Sequence, residues 1–132
     1  MSTPTEASVA AHVQAAVGAY AQALDAGRVD ELADLFWPDG VAEIAGIGTF
    51  EGQEAIREGY AAFAPTQPQL HLAANTVVTS WTEDEATAVS NLAFLQRGEA
   101  GWAVQLVGRY DDVLSRRDGV WRFRRRVTTF LP

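Results

Sequence analysis

Gln69–Phe130 reads QLHLAANTVVTSWTEDEATAVSNLAFLQRGEAGWAVQLVGRYDDVLSRRDGVWRFRRRVTTF. Four long runs rich in valine, threonine, leucine and aromatics stand out: Gln69–Trp81, Ala86–Arg97, Trp102–Ser115 and Val120–Phe130. Such residues suit a pleated, half-buried surface. Turn chemistry separates the runs, at Thr82–Glu85, Gly98–Gly101 and Arg116–Gly119. Arg117-Asp118-Gly119 is the strongest of these signals, because a tight hairpin needs residues that accept positive φ. Consecutive hairpins make an antiparallel meander. Strands of this length accumulate twist, so the sheet must curl.

The chain before the meander has a different period. Val9, Val13, Ala16, Val17, Tyr20 and Leu24 recur at three and four, predicting one helix from about Thr5 or Ser8 to Ala26. Gly27 is placed to end it. Asp30 can cap a short second helix through Leu35 and Phe36, and Pro38-Asp39-Gly40 then turns the chain. Val41–Ile47 and Thr49–Glu51 read as strands, and Gln53–Phe63 as a third helix. Pro65 and Pro68 keep the next segment a loop. The expected fold class is α+β, with N-terminal helices packed on a strongly curved, mainly antiparallel sheet that encloses a pocket. The expectation is a single domain over residues 1–132, with 1–7 a loose N-terminal segment.

Composition narrows the chemistry. The chain has 132 residues, 48% of them hydrophobic, and a formal net charge of −7. That length can bury a core without staples. The acidic balance argues against nucleic acid, which calls for a basic face. There is no cysteine, so no disulfide, thiolate zinc site or thiol nucleophile is available. All ten basic residues are arginine, which excludes a lysine Schiff base. No apolar stretch is long enough to span a membrane. Met1–Glu6 lacks the pattern of a secretory signal, so a cytoplasmic location is the default expectation. The two histidines lie far apart in sequence, and no metal site or cofactor is expected.

YAQALDAGRVDELADLFWPDGVAEIAGIGTFEGQEAIREGY (20–60), LHLAANTVV (70–78) and GRYDDVLSRRDGVWRFRRRV (108–127) resemble SnoaL-like proteins of the nuclear transport factor 2-like superfamily. The resemblance spans about Ala10 to Val127 and implies a cone-shaped domain around one pocket. It is nearest to the branch containing scytalone dehydratase and bile-acid dehydratase. There a helix tyrosine, an aspartate at the helix end and a strand histidine do acid–base work. Tyr20, Asp25 and His71 occupy the corresponding positions. Two departures stand out: a second pocket histidine is matched by Gln96, and the aspartate base of ketosteroid isomerase by about Ile44.

Read as residues, His71 is the prime candidate, since histidine both takes and gives a proton near neutrality. Its plainer alternative is a strand histidine making one hydrogen bond. Asp25 sits at a helix C-terminus, where the macrodipole disfavours a carboxylate. It either orients His71 or bonds the amides of the Ala26–Val29 turn. Tyr20 on the apolar helix face is a substrate hydrogen-bond donor or core filler. Tyr20 and Asp25, five residues apart, lie about 140° apart around an ideal helix. They converge on one cavity only if the helix end unwinds. Trp37, Phe50, Tyr60, Phe63, Phe94 and Trp102 supply lining or core, and Asn75 and Gln96 are polar candidates. Along Arg124–Arg126, strand alternation turns Arg124 and Arg126 one way and Arg125 the other. These pair with Asp111 and Asp112, or Arg126 grips a substrate carboxylate at the pocket mouth.

Two function classes follow. One is a cofactor-independent lyase or isomerase, dehydratase- or cyclase-like, acting on a small apolar cyclic or polyketide-like molecule. His71 would be the general acid/base and Tyr20 the donor. The other is a non-catalytic domain binding a small apolar molecule or another protein. A sheet face left open by the helices, with Trp81, Val89 and Leu106 on it, is the expected homodimer surface.

Overall fold

The computed structural model describes residues 3–132. The helix α1 (Glu6–Asp25) starts at a reciprocal cap: Ser8 N donates to Thr5 Oγ1 and Thr5 N to Ser8 Oγ. Order therefore begins before residue 8, correcting the expectation of a loose segment over 1–7; residues 1–2 lie outside the described residues. Val9, Val13, Ala16, Val17 and Tyr20 are buried, which is the face the spacing predicts. A short α2 (Val29–Ala33) follows. It begins at Arg28 without a side-chain cap, so Asp30 lies inside it rather than capping it.

The strands are β1 (Phe36–Ile44), β2 (Gly48–Glu51), β3 (Gln69–Trp81), β4 (Glu85–Gly98), β5 (Gly101–Arg117) and β6 (Val120–Phe130). The helix α3 (Gln53–Ala61) lies between β2 and β3. The six strands form one sheet in the order β2-β1-β6-β5-β4-β3. The meander β3 to β6 is antiparallel throughout, and Asp118 and Gly119 turn its last hairpin with φ of 51° and 79°. β1 joins the sheet parallel to β6, a pairing that periodicity does not announce. Pro38-Asp39-Gly40 is part of β1, where the register shifts between Phe36 and Val41. A proline is tolerated at such an irregularity because no ladder donor is needed there.

The helices lie on one face of the sheet, with α1 against β3 and α3 against β1. Val9, Val13, Tyr20, Leu32, Phe36, Ile56, Leu114 and Phe123 meet in the core between the layers. The opposite face exposes Leu70, Leu72, Val104 and Val107. Trp81 is also exposed, but Leu106 points inward with Tyr110 into the cavity, against the expectation for it. Trp102, expected as lining or core, is half exposed.

A bulge decides the arginine run. The β5–β6 register shifts between Val113 and Leu114, so Phe123 and Arg126 both turn inward while Arg124 and Arg125 are exposed. One extra residue cancels the alternation that would have put Arg124 beside Arg126.

Candidate active site

Beyond the core, the hollow between helices and sheet holds a cavity of about 350 Å³. Leu24, Ile44, Phe63, Leu92, Phe94, Leu106 and Phe130 give it apolar walls. Tyr20, Tyr60, Tyr110, Gln69, His71, Gln96 and Thr128 bring polar atoms to it. An apolar hollow with a few converging polar groups is the usual form of a small-molecule site.

His71 faces this hollow from β3, with its imidazole stacked on Phe94 at 4.4 Å between ring centroids. Phe94 is its direct neighbour across the β3–β4 ladder. Nδ1 lies 2.6 Å from Asp25 Oδ1. Asp25 Oδ2 accepts from the His71 backbone N–H at 2.7 Å, and Oδ1 also accepts from Gln69 Nε2 at 3.1 Å. Three donors thus hold a carboxylate that the dipole of α1 disfavours. The alternative in which Asp25 bonds the following turn does not occur, since the amides of Ala26, Gly27 and Arg28 go to backbone carbonyls of α1. Both side chains are 14% exposed. In the neutral imidazole, an Nδ1–H given to the carboxylate leaves the lone pair on Nε2, and no protein group among the described residues bonds that nitrogen.

The helix does not unwind before Asp25. Convergence is unnecessary, because Tyr20 faces the cavity directly whereas Asp25 approaches the imidazole from behind. The angle between them lets one helix present Tyr20 to the cavity and Asp25 to Nδ1 of His71.

Tyr20 and Tyr60 bring their hydroxyl oxygens within 2.7 Å of each other. Two hydroxyls hold two protons and their mutual bond uses one, so the pair keeps one for an occupant of the cavity. Tyr60, expected as lining or core, is thus a polar member of the site, and Tyr110 was not among the expected residues. Inward alternation on β5 with Asp112 was the signal for Tyr110. All three tyrosines are neutral donors over the ordinary pH range. Burial pushes Tyr60 up to about 12 and Tyr20 and Tyr110 well above their usual value, while the Arg126 guanidinium draws all three part of the way back.

Arg126 lies behind these rings, fully buried, and does not reach the cavity mouth. Its Nε and Nη2 donate to Asp112 at 2.8 and 3.1 Å. Asp112 is its direct cross-strand partner, as the pairing with Asp111 and Asp112 foresaw. Its guanidinium carbon lies 3.6 Å from the Tyr110 ring centroid and 4.2 Å from that of Tyr20. Burial pushes the Asp112 carboxyl up, and Arg126 draws it only part of the way back. Arg126 is therefore an internal strut, not a grip on a substrate carboxylate.

Of the remaining candidates, Phe63, Phe94 and Gln96 line the cavity, and Trp37, Phe50 and Asn75 do not. Trp37 Nε1 donates to Ser115 O, and Arg117 and Arg122 cover its ring at 4.7 and 5.0 Å. The irregular start of β1 puts it there. Phe50 presses on Gly59, where an added Cβ would come within 2.5 Å of its ring. Asn75 is exposed at a β3 irregularity with φ of 58°, and the neighbouring Thr76 bonds Ser90 instead.

A family model described as a SnoaL-like domain matches residues 5–127. The gamma-hexachlorocyclohexane dehydrochlorinase of Sphingobium indicum is 25% identical over 107 residues, which is 79% of this chain and 69% of that one. A Mycobacterium tuberculosis protein of unknown function aligns with a TM-score of 0.84 at 26% identity, covering 92% of this chain and 70% of its own. A Novosphingobium aromaticivorans protein provisionally assigned as a scytalone dehydratase aligns at 0.81 and 24% identity, over 92% and 83% of the two chains. Another from the same organism is an NTF2-like protein with a cystatin-like fold, aligned at 0.79 and 21% identity over 98% and 92% of the chains. The curved α+β architecture is thus the NTF2-like fold, and the chain belongs to the SnoaL-like domain family.

Proposed function

We propose that this protein is a cofactor-independent acid–base lyase or isomerase acting on a small, mainly apolar cyclic molecule. The observation that carries the reading is the Asp25–His71 contact of 2.6 Å at the wall of an apolar cavity. Asp25 holds the Nδ1–H tautomer, so Nε2 accepts a proton from a substrate carbon next to an electron-withdrawing group. The C–H electron pair either expels a leaving group from the neighbouring carbon or moves onto a carbonyl oxygen. In the first case an alkene and the departed group result. In the second an enolate forms, and His71 returns the proton at another carbon. The spare hydroxyl proton of Tyr20–Tyr60 donates to the leaving group or the enolate oxygen. Acid–base help of about 10²–10⁴-fold suits a substrate with an activated C–H bond. The resemblance to a dehydrochlorinase and to a protein provisionally assigned as a dehydratase supports elimination over hydrolysis. Ring closure of a polyketide-like chain would use the same proton transfers.

The test is deuterium wash-in from D₂O at the α-carbon of cyclic ketones and hydroxyketones, with His71→Gln and Asp25→Asn in parallel. Exchange that disappears in His71→Gln is the expected result. Exchange undiminished in that variant removes the histidine from the chemistry. The second reading, a binding domain, is favoured by the non-titrating Gln96. Its signature is ligand-induced thermal stabilisation with no wash-in by the unaltered protein.

A further inference from the structure

We infer that the natural ligand is oxygenated, and that Gln69 and Gln96 form an amide pair that recognises its oxygen substituent beside the proton-abstracting imidazole. Gln69 and Gln96 are direct partners across the β3–β4 ladder, and both line the cavity. His71 and Phe94 are the next inward pair of the same ladder. Adjacent inward rows on a strand lie about 7 Å apart, a span that a single ring with its substituent bridges.

The two amides together bring four N–H donors and two carbonyl acceptors to the wall. Among the described residues one of these groups is used inside the protein, the Gln69 N–H that donates to Asp25 Oδ1. Among the described residues the Gln69 carbonyl and the Gln96 amide have no hydrogen-bond partner in the protein, and both residues line the cavity. Polar groups left without a protein partner bond solvent until a ligand displaces it. A ligand that enters must replace that water or forfeit its hydrogen bonds. A halogenated hydrocarbon offers no adequate replacement. A ketone or hydroxyl does, and the donor side suits a carbonyl while the acceptor side suits a hydroxyl. A site built to hydrogen-bond an oxygen disfavours the analogue that lacks it. Gln69 also ties the two functions together, since the amide that touches the ligand steadies the carboxylate behind His71. This inference rests on the acid–base reading for the reaction but concerns recognition, so it is tested separately from turnover.

The probes are 2-tetralone and 2-chlorotetralin, of matched shape, titrated into the full chain labelled with ¹⁵N at glutamine side chains. Binding is followed by calorimetry and by the side-chain amide resonances. In the unaltered protein 2-tetralone binds about tenfold or more tighter, the effect of two neutral hydrogen bonds, and shifts the Gln69 and Gln96 amides. In Gln96→Leu the preference falls to within about twofold. His71→Gln, run in parallel, keeps the preference while losing proton exchange. Failure of recognition and failure of the chemistry therefore read out differently. Equal binding of the two probes, no binding of either, or an undiminished preference in Gln96→Leu overturns the inference.

Discussion

Raising the pH should unfold this protein through its tyrosines. The chain has three tyrosines, and Tyr20, Tyr60 and Tyr110 are all buried around Arg126. An unfolded chain releases a phenol proton near pH 10. In the folded state burial holds Tyr60 to about 12 and the other two well above their usual value. Above pH ~10 the folded state therefore binds more protons than the unfolded one, and stability falls as pH rises. The contribution is complete below the unfolded value and is lost through the folded one. Each such group costs about 1.4 kcal/mol per pH unit, so three together cost about 4. Over about two units that approaches the whole stability of an ordinary domain, about 5–15 kcal/mol. Phenolate absorbance and far-ultraviolet circular dichroism, followed on the same samples, should change together in one cooperative step. All three tyrosines should ionise in that step. Tyr60→Phe should lower the slope by about a third. A tyrosine that titrates near pH 10 while the dichroism stays native would refute the reasoning, because its ring would have to be wet.

Arg126→Met should cost about 3–5 kcal/mol in urea unfolding, because it leaves Asp112 buried and unpaired; the double variant with Asp112→Leu should recover most of the loss. Gly59→Ala should cost about 1–3 kcal/mol, since the added Cβ meets the Phe50 ring, and Phe50→Leu should relieve part of it in the same assay. Asp25→Asn should lower any proton-transfer rate by about 10²–10⁴-fold, and ¹⁵N spectra of His71 should show the Nδ1–H tautomer losing its dominance. Light scattering tests the homodimer expected through the outer sheet face. Leu72→Glu should shift the mass to that of one chain, and a native chain that is already monomeric at micromolar concentration would rule that surface out.

The local pattern determined most of the architecture. A period of three and four named the buried face of α1, and turn residues at Thr82–Glu85, Gly98–Gly101 and Arg116–Gly119 divided the meander, with Arg116 and Arg117 continuing β5 into the last of them. These signals are legible because each depends on neighbours a few residues away. His71, Asp25 and Tyr20 stood out by residue type and by resemblance, and a helix end and a strand brought the first two into contact. Register and irregularity were beyond the sequence. A bulge between Val113 and Leu114 turned Arg126 inward, and another irregularity in β3 turned Asn75 out. The parallel β1–β6 pair, the Tyr20–Tyr60 hydroxyl contact and the placement of Gln69 opposite Gln96 join residues 27 to about 90 positions apart. Alternation along a strand carries information only until an extra residue reverses it, and no local preference records where that happens. The sequence determined which groups this protein has to work with, and the tertiary structure decided which of them meet in the cavity.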